Sequence, residues 1–477
     1  MRKKSALLFT IVTLVAVLSL CAACSDTGNT PTPQRSSLAD SLDGDNTSFE
    51  LLKEVCANED RFYSSAGSHN AAFYLASKMN EYGMQPLPVA ARLNLPNGEV
   101  LVNGADAFIA APNQTSKSIN LYFRRPADSE KSLGTVLITA HYDNLFGAYL
   151  DGKLITATGA YDNAAGVAAL LNTARVINES SADIPYDIVF AFLSATNVAG
   201  RDGSLYYSWS GASQMIKTLD YLNITGGIAL AINMWRLGGG ENLYMYSYDR
   251  PTTYNNYFYS VAKVNGLNFT AVPEYKRSFS MGATATISSE IDSPTGQMHI
   301  GMLNESIIMM NKGLPTLTYL SLDWSDISNP GYTEKRGFSN CAYTDNDTLN
   351  NMVLINGAGE TGKQNICNQL NAVTVNLISA LEGDNGKALS QALTTAEKEL
   401  KSISSTADAL YYTGLGITIA AVVALIVVYI VLRGRNIKRL NQEGGKRPPN
   451  FGGGGRVQNG SPFEDFPSEE KIFDDFD

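Results

Sequence analysis

A histidine and a carboxylate two residues apart, His141 and Asp143, close the apolar run TVLITA, and a second acid, Asp162, follows inside the segment GAYDNAAGVAALL. An imidazole and carboxylates that converge from neighbouring strand ends form the donor set that hard and borderline cations take. Asp143 is placed to accept the second ring N–H of His141 and fix its tautomer. A lone His-x-Asp is a weak signal, since a single histidine is commonly a satisfied structural residue. The longer GAYDNAAG segment is more specific, because its glycines bound a loop that runs straight into a helix.

The elements that must position these residues can be read from the hydrophobic pattern. Thr135 to Ala140, Ile188 to Leu193, Gly227 to Met234 and Leu314 to Leu322 read as buried strands separated by helical segments, and Ala71 to Met84 reads as an amphipathic helix ended by Gly83. This alternation, running from Phe49 to about Leu381, predicts an α/β domain with helices on both faces of a mixed, mainly parallel central sheet. In such sheets the carboxyl ends of the strands carry the site.

Several segments, in order, resemble the di-zinc aminopeptidases of peptidase family M28. Arg61 with AGSHNAAFYLASKMNEYGM resembles the opening helix of that family, and HYD and GAYDNAAG resemble its first two metal motifs. IVFAFLSATNVAGRDGS, AINMWRLGG, NKGLPTLTYL and AYTDNDT resemble the later strands and ligand loops. The resemblance implies a three-layer α/β/α zinc-exopeptidase-like domain in which His141 and Asp162 are metal ligands. Asp162 would be the carboxylate bridging two zincs, with Asp143 behind the metal site.

Four other positions depart from the family pattern. The adjacent glutamates that supply the general base and a ligand fall on Asn197 and Val198, and no acid occurs from Ile188 through Arg201. The next ligand aspartate falls on Trp235, with no carboxylate from Leu222 to Gly240, and the last ligand histidine falls on Tyr343. Catalytic zinc needs about three protein ligands plus water, and a two-metal site needs roughly twice that with shared bridging. Asn197 is neutral and cannot take a proton, and a positioned base typically contributes about 10²–10⁴-fold. The Trp235 ring is expected to occupy the place of the lost carboxylate. No catalytic residue and no cofactor are therefore expected, and His141 and Asp162 read as vestigial ligands.

Replacement donors are few. The chain has three histidines, His69, His141 and His299, and candidate acids at Asp202, Glu305 and Asp345, each expected to be an ordinary exposed carboxylate. Recruitment of one of them would give the alternative reading, an active zinc exopeptidase with a rearranged metal site.

The ends of the chain bear on location. Arg2, Lys3 and Lys4 precede an apolar stretch, so residues 1–24 read as a secretory signal. Leu20 to Cys24 resembles a bacterial lipobox, leaving lipidation of Cys24, ordinary cleavage and an uncleaved anchor open. Residues 25–48 read as a solvated tether, 49–385 as the extracellular domain and 386–410 as a helical stalk. Residues 411–432 read as a transmembrane helix, because Leu415 to Leu432 carries no charge and would span about 27 Å at roughly 1.5 Å per residue. Arg433, Arg435, Lys438 and Arg439 place the tail 433–477 in the cytoplasm.

The chain of 477 residues carries 46 acidic and 36 basic side chains, and a net charge of −10 argues against a nucleic-acid partner. Five cysteines exclude a disulfide framework. Cys56, Cys341 and Cys367 lie outside the signal, and buried thiols with one bridge at most are expected. The expected function is a membrane-anchored binding or scaffold domain. It would take a peptide, a cell-wall component or a protein ligand in the former cleft, with a cytoplasmic partner conceivable for the acid- and Phe-rich segment 456–477.

Overall fold

The computed structural model describes residues 32–63, 65–109, 117–150, 153–199, 205–207, 209–240, 242–247, 253–270, 304–321, 344–399 and 426–435. Its main sheet has eight strands: β1 (Gln85–Pro86), β2 (Ala105–Ile109), β3 (Lys117–Arg125), β4 (Thr135–His141), β5 (Asp187–Leu193), β6 (Ile228–Met234), β7 (Leu243–Tyr246) and β8 (Thr316–Ser321). Their spatial order is β1-β3-β5-β4-β6-β8-β7, with β2 paired to β3. The inner strands β5, β4, β6 and β8 run parallel, and the outer pairs are antiparallel. The sheet is therefore mixed, with a parallel centre as the hydrophobic runs predict.

Alternation along β4 divides the core between two faces. Val136, Ile138 and Ala140 join the larger cluster with helices α1 (Thr47–Ala57), α2 (Ala66–Glu81), α3 (Ala165–Glu179), α5 (Thr253–Val264) and α7 (Gly359–Leu381). Leu137 points to the other cluster, built with α4 (Ser210–Tyr221) and α6 (Ser306–Asn311). Val136, Leu137 and Ile138 are wholly buried, and burial of each such side chain contributes about 1.5–3 kcal/mol. The helix expected over Ala71 to Met84 begins one turn earlier, at Ala66. There the Ser65 hydroxyl accepts the Ser68 amide at 3.0 Å and caps it.

From β4 the chain moves through α3 to β5 on one side, then through α4 to β6 on the other, with the two helices on opposite faces. The strand order thus reverses at β4, and the crevice this leaves lies at the carboxyl ends of β4, β5 and β6.

Two boundary readings are corrected. The tether expected over residues 25–48 is structured in its second half: Leu38–Ser41 form one helical turn, Leu38 and Leu42 are buried in the core, and the Ser36 amide donates to Asn265 Oδ1 at 2.8 Å. The expected stalk is helical over 383–399, but Leu389, Ala392 and Leu393 are buried in the same core, so this part belongs to the folded body. These few apolar residues are spaced to dock one helical face, a signal the polar average of each segment hides.

Two compact units divide the chain, residues 1–403 and 404–477. In the second, residues 426–435 are helical. No helix among the described residues is long and apolar enough to cross a membrane. Of the expected span 411–432, only 426–432 lies among them.

Candidate functional site

The loop from Thr158 to Asn163 forms the floor of the crevice. Gly159 adopts φ +64°, and a Cβ there would stand 2.8 Å from the Asp162 carbonyl oxygen and 2.9 Å from Asn144 Cβ, so the turn requires glycine. The Asp162–Asn163 peptide bond is cis. Asn163 ties the strand ends together: its Nδ2 donates to the carbonyls of His141 (3.3 Å) and Met234 (3.0 Å), and its Oδ1 accepts the Arg236 amide (2.8 Å). The Asp347 carboxylate holds the same loop from outside, accepting the amides of Tyr161 (2.7 Å) and Asp162 (3.1 Å).

Four charged side chains meet in line above this floor. Glu305 Oε1 lies 2.6 Å from His141 Nδ1, His141 Nε2 lies 3.3 Å from Asp162 Oδ1, and Asp162 Oδ2 lies 3.3 Å from Arg236 Nη2. Each ring nitrogen of His141 thus faces a carboxylate oxygen, and opposite charge draws the three groups together. All four residues are at most 5% exposed. The Arg236 guanidinium lies 4.4 Å from the centroid of the Trp235 ring. Glu305 is further held by Asn233 Nδ2 (2.8 Å) and the Thr196 hydroxyl (2.9 Å), which donate one to each of its oxygens.

Burial opposes ionisation throughout, and the partners overcome it. For His141 the Glu305 and Asp162 carboxylates outweigh burial and push the imidazole up to about 10. For Asp162 burial is outweighed by Arg236 and then His141, which hold it well below the usual carboxylate range. Glu305 is likewise lowered, burial being exceeded by the charge of His141. Asp347 is the exception. Burial, with the nearby charge of Asp162, outweighs its amide donors and pushes it up to about 7.

His141 and Asp162 thus come together as the sequence implies, but three expectations are corrected. Glu305 is not an exposed acid: it is fully buried and occupies the Nδ1 side of His141, the partner position expected for Asp143. Asp143 is also buried, and its Oδ2 accepts the Thr196 amide at 3.1 Å. Trp235 packs into the second-face core with α4 and α6, and it is the next residue, Arg236, that reaches Asp162. Arg236 went unnoticed as a site residue, although a signal existed: it is the sole charge from Leu222 to Gly240.

The remaining candidates are dispersed. Asn197 and Val198 lie on a short strand, Asn197–Ala199, paired with Leu205–Tyr207. His69 sits on α2, where its Nδ1 accepts the Asn94 amide at 2.7 Å. Asp345 is exposed and accepts the Thr156 amide at 2.7 Å. Tyr343, His299, Asp202 and Cys341 lie outside the described residues. Cys56 and Cys367 are buried free thiols rather than a bridge.

Whether zinc fits can be judged from these contacts. Two ligands at roughly 2.0–2.1 Å from a tetrahedral zinc stand about 3.3 Å apart, and His141 Nε2 and Asp162 Oδ1 have that separation. A pair of zincs does not fit. The second oxygen of Asp162 faces a guanidinium, and no group of three or more His, Cys, Asp or Glu side chains placed to hold a metal occurs among the described residues. A cavity of about 10 Å³ lies beside Asp162, lined in part by Asn144, Gly159, Thr344 and Asp347, which is room for about one water.

Fold and strand-end cluster together define an α/β domain with a mixed central sheet and a buried charged cluster at its strand ends. Residues 120–284 match the model of Peptidase family M28. The matched segment includes His141, Asp162 and Arg236, while Glu305 and Asp347 lie beyond it. Among solved structures, the chain is similar to the Legionella pneumophila LapA aminopeptidase at 13% identity, covering 75% of this chain and 79% of that one with a TM-score of 0.45. It is also similar to Bacteroides thetaiotaomicron glutaminyl cyclase (16% identity, 74% and 99% covered, TM-score 0.44) and to a Zn-dependent exopeptidase from Parabacteroides distasonis (16%, 74% and 100%, 0.44). No curated protein matches.

Proposed function

We propose that this chain is a membrane-anchored extracellular domain of the M28 fold that does not hydrolyse peptides and serves as a binding or scaffold module. The observation that carries the reading is the contact of Arg236 with Asp162, which sets a fixed organic cation on the carboxylate where a dinuclear enzyme needs a metal. The sequence adds that the base position is Asn197 and that no acid occurs from Ile188 through Arg201 or from Leu222 to Gly240. Since the space beside Asp162 holds only about one water, a peptide, cell-wall fragment or protein ligand would bind over the strand-end surface rather than down in the cluster. In this reading residues 1–24 direct export, 411–432 anchor the chain and 433–477 lie in the cytoplasm, where 456–477 offers a docking segment.

The test is zinc content and release of amino acids from a peptide panel, measured on the purified full-length chain. Neither stoichiometric zinc nor turnover is expected, and chelator-sensitive turnover abolished by Asp162→Ala would refute the proposal. A second reading, an active exopeptidase with one rearranged zinc, is favoured by the 3.3 Å between His141 Nε2 and Asp162 Oδ1. It requires a third ligand from outside the described residues, and the same measurement decides between the two.

A further inference from the structure

The resemblance gives Asp162 the task of bridging two dications, yet here its two oxygens face an imidazole and a guanidinium, each at 3.3 Å. The position of that guanidinium is strongly determined. Arg236 adopts φ +49°, a left-handed conformation that costs a non-glycine residue about 1–2 kcal/mol. Its amide is fixed by Asn163 Oδ1 at 2.8 Å, and its carbonyl accepts the Ser321 amide at 3.0 Å. Its charged head is stacked on Trp235. The backbone on both sides is thus built to send this one side chain toward the carboxylate, and strain of this kind persists only where the surroundings over-determine it.

Resting on the non-catalytic reading above, we propose that Arg236 is an internal replacement for a metal ion. Its guanidinium neutralises Asp162 in the buried crevice and thereby holds the Thr158–Asn163 loop and the ends of β4 and β6 in the arrangement that a metal would otherwise maintain. Guanidinium suits the task because it stays charged at all ordinary pH values and is less strongly hydrated than an ammonium group or a dication. What the crevice requires at that point is positive charge, whether organic or metallic.

This claim can be tested on the full-length chain with three proteins: wild type, Arg236→Lys and Arg236→Asp. Aspartate tolerates positive φ better than most residues, and it would add a third carboxylate or imidazole donor to His141 and Asp162. Each protein is stripped with chelator, and bound zinc and melting temperature are measured before and after adding zinc. Wild type and Arg236→Lys should bind no stoichiometric zinc and show melting temperatures indifferent to it. Arg236→Asp should melt lower than both when stripped, then take up about one zinc per chain and recover most of the loss. Stoichiometric zinc in the wild type would overturn both this inference and the non-catalytic reading. A zinc-free wild type with an Arg236→Asp chain that zinc neither binds nor restores would overturn the inference alone, as would an Arg236→Lys chain that melts as low as stripped Arg236→Asp.

Discussion

Two buried arginines flank the Thr158–Asn163 loop and are neutralised in opposite ways. Arg61 enters from the segment before α2 and meets only backbone carbonyls. Its Nε donates to Tyr142, Nη1 to Val55 and Asn58, and Nη2 to Thr158 and Gly159, at 2.8–3.2 Å. Arg236 enters from the end of β6 and meets the Asp162 carboxylate and the face of Trp235. The first uses every donor of the guanidinium fork, so its role depends on shape. The second brings its guanidinium against a buried carboxylate of opposite charge, so its role depends on sign. The same residue type thus serves as a hydrogen-bonding brace on one side of the loop and as a counter-ion on the other.

Asp162→Ala gives the largest expected effect. It leaves Arg236 and His141 buried without their shared anion, and loss of one partner from a buried pair costs about 3–5 kcal/mol. Denaturant unfolding would show it, and a loss near zero would mean that the Arg236 side of the comparison carries no charge compensation. Next comes Arg61→Lys. Three ammonium donors cannot serve five carbonyls, so a loss of about 2–3 kcal/mol is expected, in contrast to the tolerance expected of Arg236→Lys. Equal responses at the two positions would break the distinction between shape and sign.

A pH series sharpens the charge side. His141 is raised to about 10 in the folded chain from an ordinary value of about 6.5. Its stabilising contribution is therefore complete below about pH 6.5 and is lost as the pH passes through 10. The difference in unfolding free energy between wild type and His141→Gln should narrow between pH 6 and pH 10, and a constant difference would count against the ion chain. On the acid side, the lowered Glu305 and Asp162 contribute above about pH 4 and lose that contribution on further acidification. The smallest effect is expected from Trp235→Phe. This keeps an aromatic face under the guanidinium and trims only part of the ring that packs in the second-face core, so it should cost on the order of 1–2 kcal/mol; a loss as large as that of Asp162→Ala would break this ranking.

The strands were readable because their apolar runs are continuous, as in TVLITA and IVFAFL, and a buried parallel strand requires that. His141 and Asp162 were readable because a histidine at a strand end and an acid in a glycine-bounded loop are local patterns. Glu305 reads as an exposed acid, and Arg236 does not stand out at all, for a common reason. A charged side chain in sequence looks solvated, and its burial becomes visible only when the opposite charge arrives from another part of the chain.

Sequence alone therefore determined the α/β class, the parallel centre of the sheet and the placing of His141 and Asp162 close together at its strand ends. These depend on the order and hydrophobicity of residues near one another in the chain. Tertiary structure decided which charges meet: Glu305 on His141, and Arg236 rather than Trp235 on Asp162. Those pairings span 164 and 74 residues respectively, as the numbering gives directly. The free energy of bringing buried opposite charges together depends on distance and desolvation in space, which sequence proximity does not encode.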